Sequence, residues 1–346
     1  MTANAQYFAT VADLIADAKS PGADDARLYQ AIAEASEFIA KDIGWFIPVT
    51  ATRYFKAPEA VSTLFIKPLL EVTSITNDTD ALTGSDYLLK PDGAHWAYGP
   101  YSSIVADPDS NLLYTWSDLV NGVTIVGKWG KYNRTASTGA TVADTTQQSD
   151  SQTTLKVSNG AAVSPGMVLL IGTEQELVTG WGDPTTSVTT LNGAVAATDE
   201  TITLTNASLV NVGEVLRVDF EQWYVRDRRT SNNTISVIRG WNGTARTTHT
   251  TSTAVDVYRT VTVERGVNGT TAAAHANGVS ISRHVVPADV NGLCRQIATL
   301  IVNKALSGYQ GRVGNEQTGV VFYNDAYPRF EIERVRKAYS LKGWEA

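Results

Sequence analysis

Gly166 to Val178 reads GMVLLIGTEQELV, and Gly213 to Val225 reads GEVLRVDFEQWYV. The Gly, Val-Leu, Glu-Gln and Val positions coincide without gaps, and upstream Leu155, Val157 and Val163 match Ile202, Leu204 and Val210 at the same spacing. A second phrase also occurs twice: RGWNGTARTTH from Arg239 to His249 and RGVNGTTAAAH from Arg265 to His275. Self-similarity of this kind marks one supersecondary unit used twice. Both copies of the first phrase precede both copies of the second, whereas a simple tandem would alternate them. This order predicts nesting: one β-module (about 200–259) inserted into a hairpin of another (about 153–199 plus 260–284). The competing reading is a tandem in which Thr186–Val195 is the decayed second half of the first copy. Glu174 and Glu221, Arg239 and Arg265, and His249 and His275 fall at equivalent places. A residue needed once per module is first of all a scaffold part, so these are expected to hold turns and strand ends rather than bind metal.

Around the repeat, the chain is rich in Thr, Val, Asn and Gly and poor in helix signals, which predicts an all-β zone over 150–285. Gly139–Gln152 is a polar, small-residue linker at its start. Asn-Gly pairs at 159–160, 192–193, 242–243 and 268–269 suit tight hairpins, because both residues tolerate positive φ.

The zone before it, residues 1–149, opens with helices. Val11, Leu14, Ile15 and Ala18 predict one over Tyr7–Ala18. Asp24 caps a second through about Asp42, with Gly44 as its C-cap. Strands are then expected at Thr50–Phe55, Ser62–Ile66, Val72–Asn77, Tyr87–Lys90, Leu112–Trp116 and Val123–Trp129. The last zone, 286–346, has a helix opened by Pro287 with Val290, Leu293, Ile297, Leu300 and Ile301 on its apolar face. It continues with a glycine-rich loop, a short strand at Gly319–Tyr323 and a charged helix over Arg329–Leu341. The fold class expected is α+β. The three zones carry net charges of −7, −2 and +2, so head and tail of neighbouring copies would attract each other.

Composition narrows the function. With 43% hydrophobic and 18% charged residues over 346 positions, the chain is globular, and its net charge of −7 argues against a DNA-coating protein. No apolar run is long enough to span a bilayer. The start, Met1-Thr2-Ala3-Asn4, lacks a signal-peptide pattern, so a reducing compartment is expected. The single cysteine, Cys294, excludes an internal disulfide and any cysteine-based zinc cluster and reads as a buried thiol. His95, His249, His275 and His284 fall in no metal-binding spacing. There is no nucleophile elbow, P-loop or dinucleotide fingerprint. No enzyme activity and no cofactor are expected. Trp181, Trp223, Tyr224 and Trp241 read mainly as filling for small β-cores, with Trp241, in its Asn-Gly turn, a possible collar surface.

With the β zone set aside, the remaining phrases follow a familiar order: Leu64–Pro68 with Val72–Ile75, Asp86-Tyr87-x-Leu89, Val123–Gly130, and Val286-Pro287-x-Asp289-Val290. This resembles the head–tail connector (adaptor, or neck) proteins of tailed bacteriophages, over about 200 residues in two blocks. Family members are usually much shorter, and the β insertion is not part of their common pattern. The resemblance implies a helical connector core formed by 1–149 and 286–346. The implied assembly is a ring, commonly of twelve copies, between the portal protein and a tail or stopper component. DNA would pass through its lumen without specific binding, and the location would be the virion neck. It also implies a C-terminal docking arm: Val320, Val321, Phe322 and Tyr323 as an isolated apolar strand, followed by Arg329, Phe330, Arg334, Arg336 and Lys337. The strand would add to a partner, or else complete the chain's own β part. The β insertion would stand out as a collar. The alternative is a tail-associated protein whose β-modules bind host glycans, which exposed coplanar aromatics would favour.

Overall fold

Asp24 starts the long N-terminal helix: its carboxylate accepts the Arg27 N–H at 2.8 Å, and the helix runs to a left-handed Gly44 (φ +115°) just past its end. The computed structural model describes residues 4–16, 24–145, 147–306 and 328–341, and the backbone of 312–313 and 321–322. Within these the fold is α+β. Helix α1 (Val11–Ala16) starts later than its apolar spacing predicts, because Thr10 and Asp13 form a reciprocal cap: the Thr10 N–H donates to the Asp13 carboxylate, and the Asp13 N–H to Thr10 Oγ1. Helix α2 (Asp25–Asp42) buries Leu28, Ile32, Ala35 and Ile39. Helices α3 (Ala288–Leu306) and α4 (Arg329–Ala338) come from the far end of the chain and close on the same core. There Val290, Leu293 and Ile297 meet α2, and Ile332 and Val335 complete the layer.

The first sheet contains β1 (Val49–Phe55), β2 (Thr63–Asn77), β3 (Asp80–Leu82), β4 (Tyr87–Lys90), β5 (Tyr101–Ala106) and β6 (Val123–Trp129). Its order is β1-β6-β2-β5-β4, all antiparallel, with β3 on the far end of β2. The two strands expected around Pro68 are one long β2. Its register shifts on either side of Leu69, so its first half pairs with β5 and its second half with β6. Leu112–Trp116 is not a strand. Ser110 Oγ gathers the N–H groups of Leu112 and Leu113 into a turn, and Trp116 is pinned by bonds from its backbone and indole N–H to Val61 and Ser62. The strand in its place is β5, disguised in the sequence by the buried Ser102 and Ser103.

The outer module comprises β7 (Thr135–Thr141), β8 (Gln147–Gln148), β9 (Thr154–Lys156), β10 (Val168–Ile171) and β11 (Glu174–Trp181). The chain then makes the inner module's own sheet from β12 (Thr185–Thr190), β13 (Thr201–Thr203), β14 (Val215–Val218), β15 (Glu221–Arg229), β16 (Thr234–Arg239) and β17 (Ala254–Val257). It returns to the outer module with β18 (Thr260–Glu264), β19 (His275–Ala276) and β20 (Ser280–His284). Strand β18 pairs with β11 and β9, and β20 with β10 and β7, so the modules are nested. Two boundaries differ from the sequence reading. Strand β7 lies before residue 150 yet belongs to the outer sheet, and β12 pairs with β17 and so belongs to the inner module.

The Asn-Gly pairs do not make the hairpin turns. The β10–β11 and β14–β15 hairpins turn at Gly172 (φ +60°) and Asp219 (φ +52°). Asn242 and Asn268 do take positive φ, but in short 3-10 turns that follow β16 and β18.

The outer module is fused to the helical layer. Val168, Leu177 and Val267 lie in the same core as α1–α4. Gly269 sits so close to β1 that a Cβ there would stand 2.0 Å from the Thr50 carbonyl oxygen. The modules are joined by Glu214, buried, which accepts from the Gly160 N–H at 3.0 Å and from Arg259 Nε at 2.7 Å.

Candidate functional site

The duplicated phrases build one polar network per module. In the inner module Glu221 accepts from Arg239 Nε (2.7 Å), Arg239 Nη2 (2.6 Å), and the N–H groups of Gly240 (3.1 Å) and Thr247 (3.2 Å), and pairs with His249 Nε2 at 2.9 Å. In the outer module Glu174 accepts from Arg265 Nε (2.7 Å), Arg265 Nη2 (2.8 Å), and the N–H groups of Gly266 (3.0 Å) and Ala273 (2.9 Å), and pairs with His275 Nε2 at 2.8 Å. Each Arg also donates to two backbone carbonyls across the module: Ala196 and Asp199 in one, Ser149 and Gln152 in the other. A left-handed glycine after the Arg lets its N–H turn back onto the carboxylate. The repeated Glu, Arg and His are brought together as closing clasps, each tying the hairpin to the loop that follows the next strand. Burial alone would raise both carboxyls. The Arg, His and backbone donors outweigh it, holding Glu174 below the usual range and Glu221 down at about 2.

One group of three potential metal ligands occurs among the described residues: Glu174, Glu176 and His275, all buried, with donor atoms within 4.8 Å of one another. The other sequence-flagged groups are placed singly. His95 Nε2 meets Ser102 Oγ at 2.8 Å, and the His284 ring nitrogens take no hydrogen bond, with burial holding that imidazole down at about 4. Cys294 is buried beside Ser36, and burial pushes its thiol up to about 12.

The outer module docks on the helical layer through one face, and the inner module carries the equivalent residues. Val168, Leu177 and Val267 seat the outer module on the helices, and Asn268 clamps the N-terminal segment, accepting from the Ala5 N–H (2.8 Å) and donating to the Ala5 carbonyl (3.1 Å) and to Gln175 (2.8 Å). The equivalent inner residues are Val215, Tyr224, Trp241, Asn242 and Gln222. Here Tyr224 and Trp241 stack at 4.7 Å, Asn242 donates to Gln222 at 2.9 Å, and Val215, Tyr224 and Trp241 remain half-exposed. Val215, Gln222 and Asn242 line a cleft of about 270 Å³ with Trp181, Tyr258 and the start of α2. The aromatics do not form a coplanar platform: Trp223 is buried beneath Arg239, Trp241 covers Tyr224, and Trp181 meets Tyr258 at 69°.

The C-terminal arm differs from the sequence reading. Its strand is not isolated: β22 (Val321–Phe322) pairs with β21 (Arg312–Val313) of the same chain, while Val320 and Tyr323 lie outside the described residues. Its basic residues are partly engaged at home. Arg336 makes a two-oxygen pair with Asp42, and Arg334 bonds Glu331 at 2.8 Å. Lys131 donates to the Tyr339 and Ile43 carbonyls, so one ammonium closes the C-terminal ends of α2 and α4. Arg329, Phe330 and Lys337 point outward, and Phe330 is 78% exposed. A second exposed apolar group, Leu112, Tyr114, Leu119 and Val120, lies on the loop between β5 and β6, where the sequence suggested a strand.

Two features of the modules carry no local signal in the sequence. The Asn268-Gly269 pair reads as a turn, whereas the buried Asn268 side chain joins the module to the distant Ala5 backbone. Gln148 and Glu176 would have emerged from aligning the repeats for polar residues that replace apolar ones. The chain matches no protein-family model, no curated protein and no solved structure. Among the described residues, no helix is long and apolar enough to cross a membrane.

Proposed function

We propose that the chain is a structural virion protein without catalytic activity: a head–tail adaptor of the tailed-bacteriophage connector kind. It forms an oligomeric ring between the portal and a tail or stopper component, extends the DNA channel, and carries its nested modules as an outward collar. The observation that carries this reading is the split helical layer. Helices α1 and α2 precede the modules, α3 and α4 follow them, and all four share one core beside the first sheet, in the element order of the resemblance. This layer with its sheet is the connector core.

Three surfaces fit the role. The loop bearing Leu112, Tyr114, Leu119 and Val120 offers apolar area for a neighbouring subunit. The outward side of α4, with Arg329, Phe330 and Lys337, is the part of the arm left for the portal. The half-exposed Val215, Tyr224 and Trp241 repeat the face by which the outer module already holds its own helices, which suits a collar contact.

The test is electron microscopy of virions labelled with serum raised against residues 185–257. Label at the head–tail junction is expected. Label at the distal tail would overturn the adaptor in favour of the host-glycan-binding reading.

A further inference from the structure

We propose that the outer module holds a divalent metal cation, of the zinc and manganese class, between Glu174, Glu176, His275 and Gln148. The two modules provide an internal comparison. Position for position, the inner clasp sits against Val195 and Trp223, both buried in an apolar core. The outer clasp has Gln148 and Glu176 in those places, both 0% exposed. An amide and a carboxylate thus replace an aliphatic side chain and an indole inside the same small fold, an expensive exchange unless something binds them. Gln148 Oε1 and Glu176 Oε1 are both buried with no hydrogen-bond partner, and the Gln148 amide reaches the other Glu176 oxygen at 3.3 Å.

The spacing suits a shared cation. His275 Nε2 lies 2.8 Å from Glu174 Oε2 and 3.6 Å from Glu176 Oε1. Ligand atoms at roughly 2.0–2.2 Å from a tetrahedral zinc stand about 3.3–3.6 Å apart. Glu174 is held from its other side by Arg265 and two backbone N–H groups, the kind of outer bonding that fixes a ligating carboxylate. Arg265 Nε already donates to Glu174 and stands 3.1 Å from Glu176, so one guanidinium faces two carboxylates. Burial raises the Glu176 carboxyl to about 7, as expected for an anion whose neutralisation is incomplete.

The imidazole is also arranged differently in the two modules. His249 is flanked by carboxylates on both nitrogens, Asp219 at 2.8 Å and Glu221 at 2.9 Å. Gly172 stands in the place of Asp219 in the outer module. His275 thus meets carboxylates through Nε2, the nitrogen that faces both Glu174 and Glu176 and can serve as the ligand atom.

This inference is independent of the adaptor reading. The full chain, dialysed against chelator and then buffer, is titrated at pH 7.5 with Zn²⁺ by calorimetry and with Co²⁺ by visible absorption. Expected are one equivalent bound, a four-coordinate cobalt band and a raised Tm with zinc. E176Q keeps the shape of the side chain and is expected to lose affinity by more than the ~10–100-fold typical of outer-shell changes. The Q148V/E176W double variant installs the inner module's residues and is expected to abolish the cobalt band. D219N, in the inner module, is expected to bind as the wild type does. Absence of heat and of the cobalt band in the wild type, or equal binding by E176Q, would overturn the site and leave Glu176 as a buried carboxyl neutralised by a proton.

Discussion

Glu221 satisfies a guanidinium, an imidazole and two backbone N–H groups with one carboxylate, and its acidity is the most direct handle on the inner module. The groups facing it are Arg239, His249 and, through the far imidazole nitrogen, Asp219. Its folded pKa of about 2 lies below the ordinary 4.5. The unfolded chain therefore binds more protons between those values, and stability must fall as pH falls through that window. The contribution is complete above pH 4.5 and amounts to roughly 3 kcal/mol. Urea melts of the full chain at several pH values should show this acid limb, and E221Q should flatten it. The same variant leaves the buried Arg239 guanidinium, which lies over Trp223, without its carboxylate and should cost about 3–5 kcal/mol at neutral pH. Equal stability of E221Q and wild type at pH 7 would contradict the clasp. Gly269 gives a second residue-scale prediction. Its positive φ and the Thr50 carbonyl both forbid a side chain, so G269A should lower Tm, whereas G243A, with open space around it, should lower it less.

Strand pairing decides what can be removed. Trp181 pairs with Val261, and the Gly182 N–H donates to the Thr260 carbonyl, so the points where the inner module leaves and rejoins the outer sheet are adjacent. Replacing residues 183–258 by a short Gly/Ser linker should leave a folded outer module and helical layer, with one cooperative melt and the α-helical CD retained. Replacing 150–284 should not, because Val168, Leu177 and Val267 would leave the helical core. If the smaller excision unfolds the chain, the modules are one cooperative unit. The nesting itself was legible in the sequence because repeated phrases keep their order whatever their packing. The length of β2 and the loss of a strand at Leu112–Trp116 were not. They depend on Pro68 sitting within a bulged strand and on Ser110 capturing two N–H groups, contacts that apolar periodicity does not record. The arm was legible as an amphipathic helix, but not its attachment. Asp42 and Lys131, which hold it, lie far away in sequence and carry no local signal.

The proposed assembly would rest on what the folded chain leaves outside. Because Ile332 and Val335 belong to the chain's own core, truncating the C-terminal arm would damage the fold together with any partner site. Surface substitutions separate the two: on the proposed adaptor reading, F330E with R329E should abolish binding to a portal protein while the melt is unchanged, and unaltered binding would remove α4 from the proposed docking role. Y224A/W241A should likewise weaken the proposed collar contact more than it weakens the fold, since both rings remain half-exposed. The nested chain path also imposes an order of events on the ribosome. Residues 185–257 emerge as a complete module while β10 and β11 still await the partners that 260–284 will supply, and the helical layer stays open until α3 is made. The inner module is thus able to fold before the outer one, sealed off from the unfinished sheet that flanks it on both sides. Pulse proteolysis of stalled nascent chains ending near residue 290 should find it protected ahead of the outer module and the helical layer, though not of the first sheet, whose strands all lie within 49–129.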